Sequence, residues 1–456
     1  MKTTPLTIVL SFITAFDLFA QGSLTPPTGP APTMKSLDQV ASTGIAINST
    51  NTAGDPNSEF IIAAAGSYFL TGNLAVTKTN GIRVTAANVT VDLNGFQISR
   101  ASGSGGTGIT VSAKRCTIEN GSIAASFENG IDGFGNGVDG TVRDVSVSGC
   151  NTTGIRVTYG WLVERCTAVD NGTGISIDSG GVVRNCRART NTNRGISGGN
   201  GSTIIDCVAS GNGTSGIGTG ELSKLTNCAA AYNLANGIET GMWSALKDCS
   251  AGQNTGTAGI IVGHGSTLTG CNSSSNFTLG FPPTDTTGMG IKAEDDCSII
   301  HCLATSNEGD GIRVGHRGLI VDSNSSSNGQ AGSNVGSGII AGLRATVKNC
   351  SASENRRHGI SVGGESLLME NHASHNGRGG SSFGIDTTSQ GGTSSRVEAN
   401  QVRDTNGAGF NFGMNDIVVR NHSGSNTLNF SITTGANFGP IQTPNSATNP
   451  LANISF

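Results

Sequence analysis

The chain has 456 residues and a formal net charge of −4, and only 13% of its residues are charged, against roughly 25% in an ordinary globular domain. Such a balance offers nothing to neutralise a run of phosphates, so a nucleic-acid partner is not expected. Hydrophobic residues are 35%, and the 69 glycines bring the apolar share to ordinary values; this is a folding chain in which glycine has replaced bulk and charge, as tight corners require.

Residues 1–20 read as a secretory signal: one positive charge in Met1-Lys2-Thr3-Thr4, an apolar stretch from Leu6 to Phe19, and the small Ala20 at the cleavage point. The segment predicts a secreted or cell-surface protein with no membrane-spanning stretch after cleavage. Residues 21–76 are expected to lie extended and to cover the open edge of the body, with a strand pair or turn at Gly66–Asn73. The alternation Val89-Thr90-Val91-Asp92-Leu93 predicts the first full strands.

From residue 77 to 430 the chain repeats. Gly-Ile recurs at 154, 174, 195, 216, 237, 259, 290, 311, 338, 359 and 384, a solenoid-like period. Within each repeat apolar residues alternate with polar ones and no helical period is present, which predicts short strands with one face inward. Three such strands per repeat give an all-β fold: a single-stranded, right-handed parallel β-helix, a solenoid of about 14 rungs of roughly 21 residues capped at both ends. Residues 431–456 break the pattern and are expected to cap the far end.

Two columns run through the repeat. In ten successive rungs an Asn follows the Gly at one constant spacing, as Asn171 follows Gly154, Asn191 follows Gly174, and so on to Asn376 after Gly359. An inward amide at a bend carries both donors and an acceptor, so these asparagines are expected to form a structural ladder. In eight rungs a Cys also follows the Gly at a constant, shorter spacing, from Cys166 after Gly154 to Cys350 after Gly338, while Ser323 and Asn371 fill the same place in two others. Because the column tolerates Ser and Asn, the cysteines are expected to be buried, unpaired thiols.

The blocks Leu24-Thr25-Pro26-Pro27, Gly29–Gln39, Gly66–Asn73 and Val91–Phe96 resemble exported bacterial proteins with right-handed parallel β-helix repeats, of the kind common in planctomycetes and related phyla. The rungs themselves are generic to the pectate-lyase-like superfamily, which holds polysaccharide lyases, glycoside hydrolases, uronan epimerases and non-catalytic surface or tail proteins. The resemblance implies the fold and, loosely, a carbohydrate partner. The paired aspartates of polygalacturonase-like hydrolases and the Asp-Pro-His-Glu signature of alginate epimerases are not evident, which lowers the enzyme reading.

Length varies between the Asn and the next Gly, with insertions at 277–289, 329–337 and 377–383, so one corner of the rod should carry the loops. Next to it, outward positions are mostly small, except where Lys292, Glu294 and Arg313 stand; His264, Asp295 and His316 follow in one column, with Asp296 and Arg317 beside them. Two chemistries could use this cluster. In a uronan lyase or epimerase Glu294, Asp295 and Asp296 could hold calcium, and Lys292, Arg313, His264 or His316 could act as base; in a glycosidase, two carboxylates would serve. Charges stacked along a solenoid also pair with one another and need no further role. Tyr159, Trp161 and Trp243, with Arg317, are the candidate sugar contacts. The expected function is a non-catalytic exported β-helix that contacts polysaccharide or other surfaces. The alternatives are a polysaccharide-active enzyme, lyase or epimerase before hydrolase, and a fibre-like assembly protein.

Overall fold

The computed structural model describes residues 44–456 apart from 125, 134, 136–137, 279–286, 330–335 and 381. The expected signal peptide and the leader block at 24–39 lie outside the described residues, as do Phe281, Pro282, Pro283 and Asp285 of the longest insertion.

Each rung carries three short strands, seen in Thr153–Val157, Leu162–Glu164 and Thr167–Val169. Strands pair in parallel and in register with the rungs on either side, so three sheets run along the rod. The first sheet stacks seventeen described strands, from Ser58–Ile62 to Leu428–Ile432. The second and third are joined where Thr117–Ala124 and Thr141–Ser148 run through both as single bent strands. Register puts like on like: Ile155, Ile175, Ile196 and Ile217 in the first sheet; Val163, Val183, Ile204 and Leu225 in the second; Ala168, Ala188, Ala209 and Ala230 in the third. All of these side chains are buried and form one continuous core. Among the described residues there is no α-helix; two 3-10 turns occur, at Ser389–Gly391 and Pro444–Ser446.

In the rungs from Gly154 on, each of the three corners turns on a residue with left-handed backbone. In one rung these are Gly160 (φ 74°), Arg165 (φ 50°) and Asp170 (φ 55°). The turn breaks the parallel ladder, and a residue that points inward just after it repairs the break. At the third corner that residue is asparagine. Asn171, Asn191, Asn212, Asn233, Asn254, Asn276, Asn307, Asn328, Asn355 and Asn376 are all buried. From Asn171 to Asn355, each backbone N–H donates to the side-chain oxygen of the next asparagine at 3.0–3.1 Å. The side-chain N–H groups donate to that same oxygen and to a main-chain carbonyl of the rung before, as Asn191 does to Asn212 (2.9 Å) and to Ala168 (3.3 Å).

At the second corner the inward residue is cysteine. All eleven cysteines are buried and unpaired; eight of them stand at this corner, where burial pushes the Cys350 thiol up to about 11, while Cys150 heads the asparagine column, its N–H donating to Asn171 Oδ1 at 3.0 Å. The Cys166 N–H reaches the Cys186 Sγ at 3.4 Å. Nearer the far end the same position switches type: the Cys350 N–H donates to Asn371 Oδ1, and Asn371, Asn400, Asn421 and Asn453 then form a second ladder at 3.0–3.1 Å.

The rod begins earlier than its sequence suggests. Ser58–Ile62, Gly66–Phe69 and Leu74–Val76 already belong to rungs, so the stack holds about seventeen turns rather than about fourteen, and among the described residues the cover falls to those before Ser58. These early rungs bury Ile62, Tyr68, Leu70 and Val76 but lack the Gly-Ile, Cys and Asn markers. Ala53 bridges Phe60 antiparallel, which covers the starting edge of the first sheet. At the other end Phe410, Phe412 and Phe430 stack with centroids 5.3–6.4 Å apart, and Asn453–Ser455 of the tail pairs with His422–Gly424.

If the asparagine ladder holds this corner, Asn233→Ala leaves the Asn212 N–H buried without an acceptor. The expected cost is about 3 kcal/mol, read as a lower unfolding midpoint in denaturant, whereas Asn272→Ala on the outer surface leaves the midpoint unchanged. An unchanged midpoint for Asn233→Ala would show that the ladder does not hold the corner.

Candidate functional site

Outward residues of the first sheet stand two and four positions after each repeat glycine. The fourth position is glycine in most rungs for a steric reason: a Cβ on Gly241 or Gly263 would sit 2.6 Å or 2.7 Å from a backbone nitrogen of the preceding rung. Glu294 breaks that glycine column.

Lys292 and Arg313 are register partners on adjacent strands, about 4.8 Å apart along the sheet. Like charges placed opposite each other are unfavourable, and each has its own carboxylate. Lys292 Nζ lies 3.7 Å from Glu294. Arg313 donates through Nε (3.1 Å) and Nη2 to one oxygen of Asp310, a buried residue whose other oxygen accepts the Ser337 N–H at 2.8 Å. Lys292, Glu294, Arg313 and His316 line a shallow depression of about 200 Å³, walled by Ile340.

The neighbouring column does different work. Asp295 Oδ1 accepts the His316 N–H at 2.8 Å, and His316 Nδ1 accepts the Leu343 N–H at 2.9 Å. Asn200 does the same for Glu221 at the equivalent place, 3.0 Å away. Acceptors in this column therefore stand in for a ladder carbonyl at the first corner. Asp296 and Arg317 occupy the corner itself, both with left-handed backbone, and face each other through two hydrogen bonds. That guanidinium holds the Asp296 carboxyl below the usual carboxylate range. His264 Nε2 lies 3.4 Å from Asp296, and the Trp243 ring meets His264 edge-on at 6.2 Å.

Of the residues singled out in the sequence, Lys292, Glu294, Arg313 and His316 thus come together; Asp295, Asp296 and Arg317 lie on the adjoining corner, with His264 and Trp243 next along it. Asp295 and Asp296 are directed to the His316 N–H and to Arg317, and among the described residues no group of three or more His, Cys, Asp or Glu side chains is placed to hold a metal ion. His316 Nδ1 accepts the Leu343 N–H, and His264 stands with Nε2 beside Asp296. Trp161 is fully buried, its ring pressed against Gly133 and Gly140, so it is core rather than a surface sugar contact. Tyr159 is exposed at a corner four rungs from Trp243.

Two groupings were not legible from the repeat. Exposed Leu222 and Trp243 border one side of the first sheet, while exposed Tyr232, Leu234 and Phe277 border the other, across a floor that includes Gly220, Gly241 and Gly263. Their signal is an apolar residue at corner positions that elsewhere hold polar ones or glycine. Further along, residues 387–395 form an extra loop at the first corner, where the sequence predicted no length change. Asp386 accepts from Thr388 Oγ1 (2.8 Å), Ser389 Oγ (2.7 Å) and Asn411 Nδ2 (2.9 Å), and Asp416 accepts the Ser395 and Gly413 N–H groups at 2.8 and 2.7 Å. His358 lies in the same region, stacked on Phe383 at 5.3 Å with its Nδ1 accepting the Phe383 N–H at 3.1 Å.

Residues 78–224 match the model of the family described as "Right handed beta helix region". This chain folds as a right-handed parallel β-helix. A search of curated proteins finds no match. Among solved structures the β-helix is similar to the Dettilon tailspike protein gp208 (12% identity, TM-score 0.41, 70% of this chain and 61% of that one). It is also similar to the A-module of the mannuronan C-5 epimerase AlgE4 from Azotobacter vinelandii (15%, 0.39, 67% and 86%) and to pectate lyase Pel9A (13%, 0.34, 67% and 73%). The β-helix thus spans about three fifths of the tailspike's length. At this level of identity and overlap the neighbours say nothing about what this β-helix does.

Burial pushes the His358 pKa below its ordinary 6.5. The folded β-helix therefore binds this proton less readily than the unfolded chain, and stability falls as pH drops below 6.5. His358→Gln keeps an acceptor for the Phe383 N–H and should lose part of this dependence in melting curves between pH 7 and 5; an unchanged pH profile would contradict the assignment.

Proposed function

We propose that this β-helix is a non-catalytic exported protein that contacts polysaccharide along its first sheet, with Trp243 as the central contact. The observation that carries the reading is the apolar rim: Leu222 and Trp243 on one side, Tyr232, Leu234 and Phe277 on the other, all exposed around a floor of glycines in the middle of the rod. Large apolar side chains exposed together mark a contact surface. A Trp face also suits the apolar side of a sugar ring while the flanking polar groups meet hydroxyls. Trp243 is positioned for this, since its ring extends over Gly265 of the next rung and rests edge-on against His264.

Against catalysis stands the engagement of three of the candidates: Asp295 by the His316 N–H, His316 by the Leu343 N–H, and Asp296 by Arg317. A general base needs its lone pair within reach of the substrate. The second reading, a lyase- or epimerase-type enzyme, rests on one observation, the meeting of Lys292, Glu294, Arg313 and His316 in a single depression.

Covering about 80 Å² of the indole face corresponds to roughly 2 kcal/mol. Trp243→Ala is therefore expected to weaken retention in affinity electrophoresis through polysaccharide gels by about tenfold or more, with an unchanged melting temperature and with no reducing-sugar or unsaturated product formed by either protein. Equal retention of the two proteins would remove the contact reading, and product formation by the wild type would replace it with the enzymatic one.

A further inference from the structure

We propose that the depression between Lys292 and Arg313 receives an anionic group of the polysaccharide, a carboxylate or a sulfate ester. This deepens the polysaccharide reading and rests on it.

The outward column of the first sheet reads Ile261, Lys292, Arg313, Ile340 on successive strands. Two cations therefore stand one rung apart between two isoleucines, Arg313 held by the buried Asp310 and Lys292 only loosely by Glu294. Two nitrogens of Arg313 are committed to Asp310, which leaves Nη1 to donate elsewhere. His316 adds a third donor. Because its Nδ1 accepts the Leu343 N–H, the neutral ring carries its proton on Nε2. Lys292, Arg313 and His316 all line the depression and all can donate. The acceptor on that wall is Glu294, which stands in a position held by glycine at 263, 315 and 342 and lies a loose 3.7 Å from Lys292. Glu294 is the internal occupant that an external anion displaces. Asp296 is paired with Arg317, and Asp295 Oδ2 lies 3.8 Å from the same guanidinium, so the corner carboxylates face a cation of their own.

The test uses the full-length protein with four polymers: polygalacturonate, the same polymer after carboxyl reduction, dextran and dextran sulfate. The wild type is expected to bind polygalacturonate at least fivefold more tightly than its reduced form, with the difference shrinking as salt rises. Lys292→Gln should lower polygalacturonate affinity about fivefold and Glu294→Gln should raise it, while binding to the reduced polymer stays the same for both. Arg313 is left intact because it is the cation paired with the buried Asp310, and its loss would itself destabilise the fold. Binding of dextran sulfate above dextran supports an anion site open to sulfate, and its absence beside tight polygalacturonate binding supports a site for carboxylate. Equal affinity for polygalacturonate and its reduced form overturns the inference while leaving the polysaccharide reading standing; no binding to any of the four polymers overturns both. Opposite effects of the two variants distinguish an anion site from general damage, since a structural defect would not strengthen binding in Glu294→Gln.

Discussion

At the corners from Gly154 on the backbone turns left-handed for one residue, and the parallel ladder loses a carbonyl where an inward N–H needs one. An orphaned buried N–H costs about 1–3 kcal/mol, and the loss would recur at each rung. The chain answers with side-chain acceptors held in columns: asparagine at the third corner, thiol and then asparagine at the second, and serine hydroxyls such as Ser244 and Ser266 at the first. The asparagine ladder is the longest of these. Each amide serves the N–H of the rung before it, so no rung is independently satisfied, and the fold is a stack in which each turn completes its neighbour.

This constraint divides the residues that can carry function from those that cannot. Inward positions are fixed by the core and the ladders. At Gly220, Gly241 and Gly263, the fourth position of the first sheet, a Cβ would meet the preceding rung, so the floor of that face is bare backbone there. Variation is left to the outward second position and the corners, and that is where Lys292, Arg313, Leu222, Trp243 and Tyr232 stand. Glu294 keeps a side chain at the fourth position, as Thr158, Asp178 and Thr388 do in other rungs. Backbone hydrogen bonds also occupy Asp295 and His316, each of which accepts an N–H of the next rung.

The fold was legible in the sequence because its markers are periodic. The constant spacing from Gly to Asn, as from Gly154 to Asn171, and the column of cysteines define the rung, the inward face and the free thiols. The early rungs were not legible, since Ile62, Tyr68 and Val76 fill the core without any of those markers. The candidate site was legible in part. Stacking by rung is enough to bring Lys292, Glu294, Arg313 and His316 together. Hydrogen bonding was not legible: nothing in the sequence tells that Asp295 serves a backbone N–H, that Asp296 is taken by Arg317, or that Trp161 turns inward while Trp243 turns out. The apolar rim was hidden because its members lie on two different corners and meet only across the sheet.

Native-state hydrogen exchange at the ladder is the most direct measure of the central claim. The account predicts that the amides of Asn191, Asn212, Asn233 and Asn254, whose acceptors are side-chain carbonyls of the next rung, are protected as strongly as the Ile196 and Ile217 amides bonded to main-chain carbonyls. Exchange of the asparagine amides at the rate of solvent-exposed corners, with Ile196 and Ile217 still protected, would contradict it.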